Sequence, residues 1–134
     1  MKRLLLLPLF LLSGCAGSEF RRVECPLFPE EIEAATAKPE VGKVFSTKTG
    51  QLYQWSEFKE RYVPDTEWET AVVGEKFKMR RVSILNSAGF DEFEINLKDL
   101  TAEDRMVYPD GRSDLISLKC GNLPIKHPID SPGN

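Results

Sequence analysis

The sequence predicts a mainly β to α+β domain, a small antiparallel curled sheet or partly closed barrel with two or three short helices. Three observations lead there. Apolar and polar residues alternate over short runs such as Phe93-Glu94-Ile95-Asn96-Leu97, the two-residue period of a half-buried strand. Turn formers recur between such runs, as in Lys48-Thr49-Gly50, Asn86-Ser87-Ala88-Gly89 and Pro109-Asp110-Gly111. Helical patterning is confined to brief stretches, so five to seven short strands must carry the core.

Taken in order, Pro29-Glu30-Glu31-Ile32-Glu33-Ala34-Ala35 fits a short helix, with proline in its first turn and acidic residues at its positive end. Pro39 and Gly42 stop it. Val44 to Thr47 and Gln51 to Trp55 form a hairpin around a glycine-bearing turn. Ser56 caps a helical turn or two in which Phe58 and Tyr62 share a face, and Pro64 ends it. Trp68 to Leu85 is rich in strand formers, broken at Gly74. Its apolar positions are odd at Phe77 and Met79 and even at Val82 and Ile84, which predicts a β-bulge at Arg80-Arg81.

The turn at Asn86 to Gly89 leads into a strand over Phe90 to Leu97. Pairing Leu85 with Phe90 sets Val82 opposite Phe93 and Ile84 opposite Asp91. Thr101-Ala102-Glu103-Asp104 resembles the capping box of a short helical turn. After Met106-Val107-Tyr108 and the Pro109-Asp110-Gly111 turn, a last strand sets Ile116, Leu118 and Cys120 on one face. From Asn122 the chain carries Pro124, Pro128, Pro132 and Gly133, the composition of a loosely ordered tail. There is no internal repeat.

The start of the chain has a different character. Lys2-Arg3 precede an apolar run from Leu4 to Leu12, followed by Ser13, Gly14 and Cys15. That run is too short for the roughly 20 apolar residues of a membrane-spanning helix, and Pro8 interrupts it. Leu12-Ser13-Gly14-Cys15 resembles the lipobox of bacterial lipoproteins. The resemblance implies cleavage before Cys15, a diacylglyceryl group on its sulfur and a further acyl chain, of the palmitate kind, on its new amino group. Two or more chains anchor stably where one does not. Ala16 in the next position leans toward the outer membrane, facing the periplasm of the cell envelope.

The implied division is 1–14 signal peptide, 15–24 lipidated tether, 25–121 a single β-rich domain and 122–134 tail. A tether of ten residues reaches about 33 to 36 Å at most, and its Arg21 and Arg22 are expected to be solvated or near lipid headgroups. With Cys15 committed to lipid, Cys25 and Cys120 remain as a pair in an oxidising compartment, which predicts a disulfide closing the domain near its two ends. Loss of Lys2 and Arg3 leaves 16 of the 18 basic residues against 21 acidic ones. A chain this acidic is not built to neutralise phosphates, so nucleic acid is excluded as the expected partner.

Signals for catalysis are weak. The one histidine, His127, lies between prolines in the tail, where nothing rigid would aim it as a base. Asp91, Glu92 and Glu94, with Asp99, Glu103 and Asp104, could serve a two-carboxylate glycan hydrolase, but on an alternating strand exposed charge is the default. Lys76, Lys78, Arg80 and Arg81 would face Glu92 and Glu94 as cross-strand pairs. Neither zinc nor calcium ligand spacing is present, and no cofactor is expected.

Tyr53, Trp55, Phe58, Tyr62 and Trp68 concentrate aromatic surface within a short span. Trp55, Phe58, Tyr62 and Trp68 are the expected partner-binding residues. The functional expectation is a membrane-anchored, non-enzymatic envelope module that binds a protein partner or a cell-wall component. The alternative is a periplasmic inhibitor of a lysozyme or protease, with Asn86 to Gly89 or Pro109 to Arg112 as its projecting loop. The sequence leaves the oligomeric state open.

Overall fold

A computed structural model describes residues 19–83 and 89–130. Among the described residues it contains ten strands and one helix: β1 (Phe20–Glu24), α1 (Glu31–Ala35), β2 (Lys43–Ser46), β3 (Leu52–Ser56), β4 (Arg61–Pro64), β5 (Glu69–Val73), β6 (Lys76–Val82), β7 (Phe90–Asn96), β8 (Thr101–Val107), β9 (Ser113–Lys119) and β10 (Gly121–Leu123). The strands form two five-stranded antiparallel sheets, ordered β10-β1-β2-β3-β4 and β5-β6-β7-β8-β9. The sheets are not closed into a barrel, which corrects that part of the expected architecture.

The first sheet is covered on both faces, which is why its apolar residues are contiguous rather than alternating. Val23, Phe45 and Leu52 pack against Phe77, Met79, Ile95 and Ala102 of the second sheet, where Phe45 and Phe77 stack with ring centroids 4.0 Å apart. Their immediate neighbours Val44 and Tyr53 join Tyr62 in a second core on the opposite face, flanked by Phe20, Trp55, Ile125 and Ile129. The second sheet buries one face only, so Phe77 and Met79 on β6 are covered while Lys76, Lys78 and Arg80 are exposed.

Arg22 ties the back layer together. It lies in β1, inside the expected tether, and is 2 % exposed, because the folded chain begins earlier than residue 25. Its guanidinium donates to five carbonyls: Nε to Val41, Nη1 to Thr36 and Pro124, and Nη2 to Ala35 and Lys38. Those bonds use all five donors of the group and cap the carbonyl end of α1 with a positive charge.

The expected tail is also structured up to Asp130. β10 pairs with β1, and Tyr62 pairs with Ile129 in a parallel bridge. The driving force is the apolar back face of the first sheet, which Ile125 and Ile129 cover. Cys25 and Cys120 are disulfide-bonded across the start of β10, with Cα atoms 4.0 Å apart.

Two expected helical turns are strands or tight turns. Ser56 Oγ does accept from Lys59 N, but Glu60 turns to φ 51° and Arg61–Pro64 pairs with β3. Thr101–Val107 pairs with both β7 and β9. Leu100, at φ 56°, reverses the chain just before it, and Asn96 Oδ1 accepts from Lys98 N and Asp99 N in that turn. The β6–β7 register is Val82 to Phe90, three residues from the expected one. β6 pairs continuously from Lys76 to Val82 without the predicted bulge, so Val82 is 62 % exposed on the face opposite Phe77 and Met79.

Two outcomes are expected from these ties. The disulfide spans 95 residues, so the Cys25→Ala/Cys120→Ala double variant loses about 4 to 5 kcal/mol in the chain-entropy account, read as a lowered urea midpoint that reductant no longer affects. Arg22→Lys has one nitrogen to replace a planar fork, and loses roughly 3 kcal/mol in the same measurement.

Candidate functional site

β2 and β3 pair only through Val44 with Tyr53 and Phe45 with Leu52. Beyond those pairs β2 continues beside β1 and β3 beside β4, so the two strands part. A cleft of about 260 Å³ opens there, with Trp55, Tyr62, Trp68, Glu40, Lys43 and Asp65 among its lining residues. Gly42, at φ 90°, sits at the start of β2, where a Cβ would lie 3.1 Å from the Val23 carbonyl oxygen. Only glycine takes that turn freely.

Three of the four expected aromatics meet in this cleft. Tyr62 forms its floor, 1 % exposed, and its hydroxyl donates to the Pro39 carbonyl at 2.8 Å. Burial raises the Tyr62 pKa, Arg22 lowers it and Glu40 raises it, so the group remains a donor at neutral pH. Trp55 is half-buried, edge-on to Tyr62 at 5.2 Å, and its Nε1 donates to Glu57 at 2.8 Å. The other face of the pocket is Trp68, whose ring carries the Arg81 guanidinium at 4.2 Å.

Phe58 does not join them. It stands in the β3–β4 turn, 95 % exposed, and lies outside the cleft lining. His127 is exposed, as expected of a solvated residue, and its ring lies 4.7 Å from Trp55 by centroids, because the segment beyond β10 crosses the back of the first sheet. Lys43, Glu40 and Asp65 were not singled out by the sequence. No spacing marks them, since they come together only where the two strands separate.

The acidic clusters fall on both faces of the second sheet. On its exposed face, Glu92 and Glu94 meet Arg80 and Lys76 at 3.4 and 3.1 Å, as cross-strand pairing requires. The same face carries a shallow trough of about 470 Å³ whose lining includes Lys78, Arg80, Glu92, Glu94, Glu103 and Arg105. On the inner face, Asp91 lies 3.5 Å from Arg81. Asp104 has its pKa raised by burial and then by Asp91, with Lys43 opposing. Lys43 also sits over the Phe93 ring at 5.5 Å.

Among the described residues, no group of three or more His, Cys, Asp or Glu could hold a metal ion. No described helix is long and apolar enough to cross a membrane. Cys15 and the loop positions Asn86, Ser87 and Ala88 lie outside the described residues. The Pro109–Arg112 turn is locked by an Asp110 to Arg112 ion pair at 2.7 Å and by Tyr108 Oη donating to Asp114. Those bonds from Arg112 hold the Asp110 carboxyl below its usual pKa. Compared with protein-family models, curated proteins and solved structures, the chain matches none.

The raised Asp104 pKa has a definite sign. The folded state holds that proton more tightly than the unfolded state, so this residue's contribution falls as pH rises from the ordinary carboxylate range through the raised value. Asp104→Asn is therefore expected to be more stable than the parent at pH 7, by about 0.5 kcal/mol after solvent screening. The difference in urea midpoint should vanish near pH 3.

Proposed function

We propose that this chain is a lipid-anchored, non-enzymatic module of the bacterial envelope, and that it recognises a cell-wall component through the cleft where β2 and β3 part. The observation that carries the reading is the convergence of Trp55, Tyr62 and Trp68 with Lys43, Glu40 and Asp65 around a cavity of about 260 Å³. Aromatic walls with a few charged groups suit one sugar ring or one side chain of a peptide stem. Cell-wall fragments offer both, with carboxylate and ammonium groups that match the two signs of charge in the lining.

The geometry of the chain start supports the anchoring. Glu19 is already fixed, its carbonyl accepting from Thr47 N at 2.7 Å and Thr47 Oγ1 at 2.9 Å. Only four residue steps separate it from Cys15, a reach of about 14 Å, less than half of the ten-residue estimate. Phe20 pairs with Ser46 and Val23 with Lys43, so the Lys43 side of the cleft lies at the end of the strands away from the anchor. The trough carboxylates Glu92 and Glu94 are ion-paired with Arg80 and Lys76, which favours binding over two-carboxylate hydrolysis.

Both tryptophans of the chain line the cleft, so binding has a built-in reporter. Soluble muropeptides added to the purified protein should shift or quench its fluorescence, and Trp55→Ala should weaken the titration at least tenfold. Fluorescence indifferent to muropeptides at millimolar concentration would sink the cell-wall assignment. In cells, Cys15→Ala is expected to move the protein from the membrane pellet to the soluble fraction; a variant that still pellets would contradict the anchor.

A further inference from the structure

The cleft between β2 and β3 is walled on one side by a backbone N–H and C=O left over from the sheet. Ser46 N donates to Gln51 O, and Leu52 O accepts from Asp65 N, so odd-numbered residues of β3 bond toward β2 and even-numbered ones toward β4. Tyr62, opposite Trp55 in β4, uses its own groups on its far side, its N–H donating to Pro128 O and its C=O accepting from Asp130 N. Trp55 N–H and C=O therefore point into the cleft. No β2 residue meets them there, because the pairing ends at Val44 with Tyr53. Continued by two residues, the same register would oppose Trp55 to Gly42, which has no side chain and turns aside at φ 90°.

These two groups decide what kind of molecule can lie against Trp55. An antiparallel neighbour answers them with the N–H and C=O that flank one Cα. The acetamido group of a sugar cannot, because its N–H and C=O belong to one trans amide and point opposite ways. The neighbour is thus an amino-acid residue. Running antiparallel to β3, it enters from the open end of the cleft and is stopped by the Val44–Tyr53 pair after one further residue, level with Gln54 and Lys43.

Charge then fixes the two residues. Lys43 is the one cation among the lining residues and stands at the closed end, where it matches a terminal carboxylate. Asp65, the acid at that end, has its Oδ1 engaged by Glu67 N at 2.9 Å. The residue opposite Trp55 carries its side chain on the same face as the indole. Tyr62 and Glu40 line the cleft there, with Pro39, next to Glu40, accepting from Tyr62 Oη at 2.8 Å. Aromatic rings beside a carboxylate suit an ammonium group.

We infer that the cleft takes the carboxyl end of a cell-wall peptide stem, an amine-bearing residue followed by one terminal residue, rather than the glycan. This rests on the cell-wall reading above and narrows it. Tryptophan fluorescence of the full-length chain in detergent tests it with three probes: a stem tetrapeptide ending in diaminopimelate and D-alanine, the same peptide with a C-terminal amide, and the wall disaccharide without peptide. The free acid is expected to bind, the amide roughly tenfold more weakly, and the disaccharide not at all. Lys43→Gln should weaken the acid to the level of the amide and leave the amide unchanged, a pattern that a general loss of fold would not give.

Purified cell-wall sacculi should sediment the chain until an amidase strips their stems. A disaccharide that binds as well as the peptide, an acid no tighter than its amide, or sedimentation that survives the amidase overturns the inference and leaves the cell-wall reading standing. Tetrapeptide binding without sedimentation by sacculi overturns it in favour of the carboxyl end of a protein. Indifference to every probe overturns both.

Discussion

The buried guanidinium of Arg22 is the interaction on which the back of the molecule depends. A charge removed from water is tolerated only when its donors are matched, and here the five partners come from α1, the successive turns that run on to Val41 and the segment after β10. One side chain thereby joins parts of the chain up to 102 residues apart. Lysine could not replace it, because a single ammonium cannot address carbonyls arriving from several directions in one plane. The Pro39 carbonyl that accepts from Tyr62 lies in the segment Arg22 fixes, so the floor of the cleft inherits its position from that guanidinium.

Covering both faces of the first sheet has a further consequence. Its strands are short, four or five residues apart from the three of β10, yet nearly every inward group has a partner layer. The second sheet has longer strands and one open face. Its inner face is held by burial, while the open face carries cross-strand pairs of opposite charge, each worth a few tenths to about 1 kcal/mol. The disulfide sits where the chain passes from β9 into β10, that is, from the one-sided sheet to the two-sided one.

Much of the second sheet was legible in the sequence because it obeys a two-residue period. Phe93 and Ile95 alternate with Glu92 and Glu94 as a half-buried strand must. The cysteine pairing was legible from count, since setting Cys15 aside as the expected lipid site left Cys25 and Cys120 as an even pair. What the sequence hid were tertiary effects. Proline-rich composition suggested a loose tail, but Ile125 and Ile129 had an apolar face to cover. Thr101 to Asp104 matched a helix cap locally, yet a strand there gains partners on both sides. The grouping of Trp55, Tyr62 and Trp68 was partly legible from their density, whereas Lys43 and Asp65 reach the cleft only through strand divergence.

Lys43 is where the two sheets and the cleft meet. It belongs to β2 of the first sheet, lies over Phe93 of the second, lowers the Asp104 pKa from across the interface and lines the cleft. A single cation cannot serve an anion in the cleft and Asp104 equally well, since Coulomb attraction falls with distance and is screened by water. Any negatively charged occupant that draws Lys43 toward itself leaves Asp104 facing Asp91 with less compensation. An anion in the cleft that drew Lys43 away would remove the contribution that lowers the Asp104 pKa, through one flexible side chain and without requiring either sheet to move.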